Sequence, residues 1–305
     1  MEITVLIPAF NEELNIKETL KDVVAVLDTL NLKSYEIIVI DDHSTDDTFD
    51  RVVSFNNPRV ECIRLSNRRG SHIAMRAGLS EARGKAVFGM AADGQDDPAT
   101  LGLMLAQWQK GYQVVWACRQ SRQLERLSYR FITALFYNFL AFCCKYSKEE
   151  KELMNKADFF LLDRLVVDAL NACRENQTAV FGLILWGGFK QTSIEYTRKS
   201  RRSGQSKWNF KKRVSLAKDW ILAFSALPVH LVFLMGVWIA ILAAIYLFWT
   251  LINAGHWSLI GTVFFMGGLQ LAAIGVVGEY MWCALKETRS RPLYFIEQRS
   301  GSALK

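Results

Sequence analysis

The chain has 305 residues, a length that allows one large domain or two. Its formal net charge is +7 at pH 7, but no nucleic-acid recognition module accompanies the basic residues, so we expect no nucleic-acid partner. The six cysteines form no C-x-x-C pair and the four histidines are scattered, which excludes a zinc site of the usual spacing and indicates reduced thiols.

Apolar runs typical of buried strands alternate with helical segments in the first 120 residues. The predicted strands are Ile3–Pro8, Tyr35–Ile40, Val60–Leu65, Lys85–Ala91 and Val114–Cys118. The first predicted helix has Asn11 as its cap and runs to about Leu30. The other predicted helices between the strands are Asp47–Val53, His72–Ala82 and Ala99–Lys110. Strands that alternate with helices predict an α/β fold with a parallel sheet covered on both faces.

The segment after the fifth strand is less regular. Residues 126–144 carry aromatic and aliphatic side chains between basic ones, which fits either a helix at a membrane interface or a buried helix of the domain. Ala157–Leu162 returns to strand character, and a helix is predicted from Asp163. Thr178–Trp186 is predicted as a further helix and Thr192–Thr197 as a strand.

The turn Ala92–Pro98 is the most informative stretch. It follows the strand that ends at Ala91 and holds three carboxylates and one carboxamide, on Asp93, Gln95, Asp96 and Asp97. Mg²⁺ or Mn²⁺ prefers such oxygen ligands and takes its remaining ligands from phosphate oxygens. The alternative is a solvated acidic turn, since Asp, Gly and Pro are ordinary turn residues.

Polar clusters follow four of the predicted strands. They are Phe10–Glu12, Asp41–Asp42, Asp93–Asp96 and Arg119. Ligands of parallel α/β sheets bind at the carboxyl ends of the strands, so these clusters are expected to meet at one edge. There is no G-x-G-x-x-G after the first strand and no P-loop motif, which argues against a dinucleotide oxidoreductase and a P-loop NTPase. A divalent ion on carboxylates is the other way to hold a nucleotide diphosphate.

Two long uncharged stretches follow residue 220. Ile221–Asn253 and Trp257–Gly278 contain no Asp, Glu, Lys or Arg, and each exceeds the roughly 20 residues that span a bilayer. We predict two transmembrane helices within residues 228–285, preceded by an interfacial helix at 216–227 and followed by a tail at 286–305. Lys and Arg flank both ends but not the intervening turn. The positive-inside rule therefore places the domain of residues 1–215 and both termini in the cytoplasm.

A basic loop precedes the first predicted span. It contains Arg198, Arg202, Ser206 and Lys207. Its charge fits a cytoplasmic membrane flank, and the same side chains suit a flexible loop that closes over a diphosphate or a lipid phosphate.

Several short motifs together resemble the polyprenyl-phosphate glycosyltransferases of glycosyltransferase family 2, the group of dolichyl-phosphate mannose synthase and undecaprenyl-phosphate glucosyltransferases. The resemblance covers nearly the whole chain, and its specificity lies in the order and spacing of the motifs. They are Ile7–Glu13, Val39–Asp46, Ala91–Pro98, Ala157–Phe159, Leu162–Arg164, Gly204–Trp208 and the ending Gly278–Tyr280 with Arg291–Tyr294.

The resemblance implies a GT-A fold, Rossmann-like with a mostly parallel sheet, followed by two C-terminal transmembrane helices. It also implies roles for individual residues. Asp93 and Gln95 would hold Mg²⁺ or Mn²⁺, while Asp96, Arg119 and Asp158 would act in catalysis. The donor nucleotide sugar would contact Pro8, Phe10, Glu12, Ile40, Asp42, Ala92, Asp93, Arg119 and Arg202. Phosphates of the acceptor would meet Arg198, Arg202, Ser206 and Lys207.

Two residues depart from the family pattern. The family usually has Asp at the position of Ala91, in Asp-x-Asp-x-Gln-Asp, and its loss affects a donor contact, metal affinity or activity. Gly94 in place of the usual bulky residue is a lesser change.

The activity that the resemblance implies is inverting transfer of one hexose from a nucleotide diphosphate sugar, UDP- rather than GDP-linked, to a polyprenyl phosphate such as undecaprenyl phosphate. The expected setting is the cytoplasmic face of a bacterial inner membrane, with lipid as a further partner. The alternatives are a family 2 transferase with another membrane acceptor and a catalytically inactive membrane scaffold. Small residues in the second span (Gly267, Gly268, Gly275 and Gly278) would allow a homo-oligomer.

Overall fold

The computed structural model describes residues 1–30, 32–120, 157–173, 180–198, 259–288 and 292–300, with isolated positions between 147 and 156 and between 232 and 245. Within these residues the fold is built on one eight-stranded sheet of order β7-β5-β6-β4-β1-β2-β3-β8. The strands are β1 (Ile3–Ala9), β2 (Tyr35–Asp41), β3 (Val60–Leu65), β4 (Ala86–Gly89), β5 (Val114–Arg119), β6 (Ala157–Asp163), β7 (Gln191–Tyr196) and β8 (Ile296–Arg299).

The sheet is mostly parallel, as the sequence predicts. β1 pairs in parallel with both β2 and β4, β2 with β3, and β5 with β7. β6 lies antiparallel between β4 and β5, so these two strands also point the same way. The central strands are buried on both faces, which explains why they read as continuous apolar runs rather than alternating ones.

Helices cover both faces of the sheet. They are α1 (Ile16–Thr29), α2 (Thr48–Val53), α3 (Ser71–Glu81), α4 (Thr100–Gln109), α5 (Arg164–Ala172) and α6 (Val180–Trp186). A further helix, α7 (Leu259–Thr288), follows later in the chain. Alternate residues of β1 enter different cores: Ile3, Val5 and Ile7 pack with α1, α2 and α4, whereas Leu6 packs with α3, α5 and α6. The predicted three-layer α/β architecture is therefore confirmed.

One predicted cap is wrong. The first helix begins at Ile16, with Asn15 rather than Asn11 preceding it. Asn11 has a positive φ of 52°, and its side chain exchanges hydrogen bonds with Thr45 across the loops that follow β1 and β2. Asn adopts this left-handed conformation more readily than most residues, so Asn11 serves a loop junction instead of a helix end.

The C-terminal strand β8 is an element that the sequence analysis does not predict. From the sequence, residues 286–305 are expected to form a tail. In the structure, Ile296–Arg299 pairs antiparallel with β3 and forms one edge of the sheet. β7 forms the other edge, so the segment from residue 197 to 295 leaves the sheet at one edge and returns at the opposite one. Four residues with charged side chains at two positions carry little strand signal by themselves.

The second predicted span coincides with α7, which runs over Leu259–Thr288. Most of the first span, the predicted interfacial helix at 216–227 and the segment 126–144 lie outside the described residues. In the part of the chain that the structure describes, no helix is both long and apolar enough to cross a membrane. The two transmembrane helices thus stay a prediction.

Acid should destabilise the domain through His72. Its Nδ1 is buried with no hydrogen-bond partner among the described residues, and burial lowers the pKa of His72 to about 4. An unfolded histidine titrates at about 6.5, so below that pH the unfolded state binds a proton that the folded state does not. We expect stability to fall between pH 6.5 and 4 by up to about 3 kcal/mol, and to level off below.

The measurement is thermal unfolding of the wild type and His72→Leu across this pH range. The variant should lose less stability on acidification than the wild type. Parallel pH dependences of the two proteins would contradict the assignment to His72.

Candidate active site

The candidate site lies at the carboxyl edge of the parallel strands. β1, β2, β4, β5 and β7 all end at this edge, and the antiparallel β6 begins there. The topology therefore brings together the clusters after β1, β2, β4 and β5, as predicted, and adds Asp158 at the start of β6 and Arg198 just after β7. Pro8 and Ile40 are register partners on β1 and β2.

The β1–β2 side of the edge forms an aromatic and acidic surface. The guanidinium of Arg68 lies 3.8 Å from the centre of the Phe10 ring, a cation–π contact. Asp42 is buried, and its carboxylate accepts hydrogen bonds from the backbone N–H groups of Arg69 (2.6 Å) and Gly70 (2.8 Å). Burial raises the pKa of Asp42, and these two backbone donors oppose that effect.

The loop after β1 is fixed by hydroxyl groups of the loop after β2. The backbone N–H of Asn11 donates to Ser44 Oγ (2.9 Å) and that of Glu12 to Thr48 Oγ1 (2.8 Å). The Glu12 carboxylate accepts from the side chain of Asn15 (2.7 Å). Ile40 is fully buried in the core, so only its backbone is available at the edge.

The acidic turn after β4 is compact and anchored. Gly94 adopts a positive φ of 70°, which glycine allows at no steric cost. Asp93 is buried, and its Oδ1 accepts from the N–H of Gln95 (3.1 Å). The hydroxyl of Thr19 in α1 donates to the carbonyl of Ala92 (3.0 Å) and ties the turn to the core.

Two arginines converge on Asp158. Arg119 Nη2 lies 3.1 Å and Arg198 Nη1 3.6 Å from Asp158 Oδ1. Arg198 also donates through Nη2 to Gln95 Oε1 (3.0 Å) and so links β7 to the acidic turn. Arg119 Nε is buried without a hydrogen-bond partner among the described residues. These contacts bring together four of the predicted site residues.

Tyr196 is a site residue that the sequence analysis missed. Its hydroxyl donates to Asp158 Oδ2 (2.7 Å) and lies 3.3 Å from Asp96 Oδ1. A hydroxyl has one proton, so both contacts are hydrogen bonds only when Asp96 is protonated. Burial raises the pKa of Asp96 to about 7, and the nearby charges of Asp158 and Asp93 act in the same direction. Tyr196 ends an ordinary-looking strand, and only the sheet order reveals its neighbours.

Ala91, which departs from the family pattern, contributes to the site through its backbone. The N–H of Ala91 donates to Asp96 Oδ2 (2.8 Å), which orients that carboxylate although no side-chain carboxylate is present at position 91. Arg202, Ser206 and Lys207 of the predicted phosphate loop lie outside the described residues.

The donor atoms of the turn suit a hard cation. Asp93 supplies a carboxylate and Gln95 an amide oxygen two residues later, which is the ligand type that Mg²⁺ and Mn²⁺ prefer. Within the described ranges, no group of three or more His, Cys, Asp or Glu is arranged to hold a metal ion. A cation bound by Asp93 and Gln95 would take its other ligands from a bound molecule or water.

Comparison with known protein families identifies the class to which this chain belongs. The model for glycosyl transferase family 2 matches residues 4–170, and the model for the GtrB C-terminal hairpin matches residues 227–282. The GT-A sheet with helices on both faces belongs to this class of glycosyltransferases. The chain is therefore a member of glycosyltransferase family 2.

Several relatives match over almost their whole length. An uncharacterized glycosyltransferase of Synechocystis sp. is 33% identical over 99% of this chain and 96% of its own. A prophage bactoprenol glucosyl transferase homolog of Escherichia coli is 31% identical over 98% of this chain and 99% of its own. The bactoprenol glucosyl transferase of Shigella phage SfX is also 31% identical, over 98% of this chain and all of its own.

Solved structures support the fold. Glucosyl-3-phosphoglycerate synthase from Mycobacterium tuberculosis, solved with Mn²⁺, uridine-diphosphate and glucosyl-3-phosphoglycerate, aligns with a TM-score of 0.52 at 17% identity, over 72% of this chain and 77% of its own. Mannosyl-3-phosphoglycerate synthase from Rubrobacter xylanophilus aligns with a TM-score of 0.51 at 18% identity, over 73% of each chain. The resemblance to the family and the predicted GT-A fold are thus confirmed.

Proposed function

We propose that the protein transfers a single hexose from a nucleotide diphosphate sugar to a polyprenyl phosphate, with UDP as the favoured nucleotide and undecaprenyl phosphate as the favoured acceptor. The observation that carries the proposal is the convergence of Asp93, Gln95, Asp158, Arg119 and Arg198 at one edge of the sheet. Full-length similarity to bactoprenol glucosyl transferases supports the lipid phosphate acceptor.

The donor would bind across the β1, β2 and β4 ends. Phe10, Glu12 and Asp42 lie on the nucleoside side, where Asp42 and the backbone around it offer hydrogen-bonding groups and Phe10 an aromatic face. Asp93 and Gln95 would hold Mg²⁺ or Mn²⁺, as supported by their oxygen donors and by the metal in structural neighbours. A bound divalent cation would neutralise charge on the leaving diphosphate.

The acceptor phosphate would meet the two arginines. Its second pKa of about 6 makes it mostly dianionic at pH 7, so it is nucleophilic without a strong general base. Arg119 and Arg198, which contact Asp158, can share their guanidinium donors with a phosphate. Catalysis would then rest on positioning and on charge stabilisation.

The proposed step is a direct displacement. An acceptor phosphate oxygen forms a bond to the anomeric carbon while the bond from that carbon to the donor diphosphate breaks, and the nucleoside diphosphate leaves with the electron pair. Attack from the face opposite the leaving group inverts the anomeric configuration. An α-linked donor would give a β-linked lipid sugar.

The setting proposed for this reaction is the cytoplasmic face of a bacterial inner membrane. The two long uncharged stretches, their basic flanks and the match to a C-terminal hairpin at residues 227–282 support it. The acceptor is a lipid, so a site next to the headgroups shortens its path to the arginines.

The test is a product assay with purified full-length protein, undecaprenyl phosphate, Mn²⁺ and a panel of UDP- and GDP-linked hexoses. We expect one labelled lipid product, of inverted configuration, from a UDP-hexose. A product of retained configuration would contradict the displacement. No lipid product from any donor would contradict the proposed acceptor and favour one of the two alternatives, a family 2 transferase with another membrane acceptor or the inactive scaffold that Ala91 in place of the family's aspartate raises.

A further inference from the structure

The C-terminal strand β8 is held firmly on β3. The N–H of Ser66 donates to the carbonyl of Phe295 (2.9 Å), and the N–H of Ser300 donates to the carbonyl of Cys62 (2.8 Å). The guanidinium of Arg299 also pairs with Glu81 of α3 (2.7 Å). The strand is thereby fixed next to the loop that follows β2.

Glu297 of β8 reaches this loop through two side chains. Its Oε2 lies 3.2 Å from Arg64 Nε and 3.3 Å from His43 Nδ1. Arg64 in turn contacts the buried carboxylate of Asp41 (3.1 Å) and donates to the carbonyl of Ser44 (2.9 Å). A chain of charged contacts therefore runs from the C-terminal strand to both ends of the segment Asp41–Ser44.

His43 needs this support because its backbone is strained. Its φ of 56° lies in the left-handed region, which costs a residue with a side chain free energy. Nδ1 also lies 3.1 Å from the carbonyl of Leu65. The carbonyl is an acceptor, so Nδ1 carries the hydrogen and donates to it, while the Glu297 carboxylate lies close to the same ring nitrogen. The ring is clamped between β3 and β8, directly after Asp42.

We propose that Glu297 is a positioning residue for the donor site: by holding Arg64 and His43, it fixes the backbone that presents Asp42 to the nucleoside. The inference rests on the proposed function, which places a donor nucleotide against Asp42. It gives the C-terminal strand a role in donor binding, because β8 pairs with β3 beside the loop that follows β2.

The test is titration calorimetry of the full-length protein with UDP and with GDP, each in the presence of Mn²⁺. Since Glu297 is about half exposed, we expect Glu297→Gln to weaken binding of the preferred nucleotide by about fivefold. Glu297→Asp, which keeps the charge, should bind within about twofold of the wild type. His43→Ala should also weaken binding, and the loss in the double variant should be smaller than the sum of the two single losses, because the two variants remove one shared contact.

Arg299→Gln is the matched control. It removes the ion pairs that the same strand makes with Glu81 of α3 and Glu61 of β3, neither of which is in the donor loop. Nucleotide affinity should therefore stay within about twofold while the melting temperature falls. Wild-type affinity in Glu297→Gln would overturn the inference, and so would an equal loss in Arg299→Gln, which would indicate strand attachment in general. A wild type that binds neither nucleotide would refute the proposed donor itself.

Discussion

The variant Asp93→Asn is expected to lower turnover by at least about 100-fold, the order for losing one group that stabilises developing charge. Asn keeps the size of Asp93 and can still accept from the N–H of Gln95, which preserves the turn. It removes the negative charge that would hold a divalent cation. The measurements are the rate of lipid-sugar formation and the affinity for Mn²⁺ by calorimetry. Both should fall together in Asp93→Asn.

Asp97→Asn provides the control in the same turn. Asp97 Oδ1 accepts from the N–H of Ala99 at the start of α4, a contact that asparagine can replace. We expect turnover and Mn²⁺ binding close to those of the wild type. Unchanged turnover in Asp93→Asn would remove the metal role from the turn.

The second large effect is expected from Asp158→Asn. Asp158 gives Arg119 and Arg198 a common carboxylate, and the variant leaves these two guanidinium groups without their partner charge. We expect turnover to fall by about 100-fold because the arginines that would face the phosphates lose their fixed positions. Nucleotide affinity should change little, since the contacts of Phe10 and Asp42 are elsewhere on the edge. Steady-state kinetics measure turnover and nucleotide titration measures affinity, so together they separate the two effects.

A matched variant at the other end of the same strand is Asp163→Asn. Asp163 accepts from the Trp108 indole (2.6 Å) and caps α5 through the N–H of Leu165. This change should lower the melting temperature without lowering turnover per folded protein. Equal losses of turnover in both variants would indicate that the strand, and not Asp158, is responsible.

Much of the fold could be predicted from the sequence because the central strands are fully buried. Runs such as Ile3–Pro8 and Tyr35–Ile40 are largely apolar because helices cover both faces of the sheet. Their polar members, Thr4 and Glu36, are buried and hydrogen-bonded to each other. β8 could not be predicted, because an edge strand of four residues is stabilised by its pairing with β3 and by ion pairs to distant residues such as Glu81. Such partners are not visible in a local pattern.

The candidate site, like the fold, could be predicted from the sequence only in part. Asp93 and Arg119 follow or end strands, so the carboxyl-edge rule brings them together before any coordinates are known. Asp158 begins β6 and reaches the same edge only because that strand is antiparallel. The rule gives no order for β5, β6 and β7, and the insertion of antiparallel β6 decides that Tyr196 meets Asp158 and Asp96. The loop junction of Asn11 and Thr45 depends on a left-handed backbone, for which asparagine is only a weak signal.

The proposed function requires that a sugar nucleotide and a cation bind at the carboxyl edge of the sheet. A crystal structure of the full-length protein with UDP and Mn²⁺, with anomalous data collected for manganese, tests it most directly. We predict an anomalous peak beside Asp93 and Gln95, with the nucleoside against Phe10 and Asp42. A manganese peak and nucleotide density at another surface, with this edge unchanged, would contradict it.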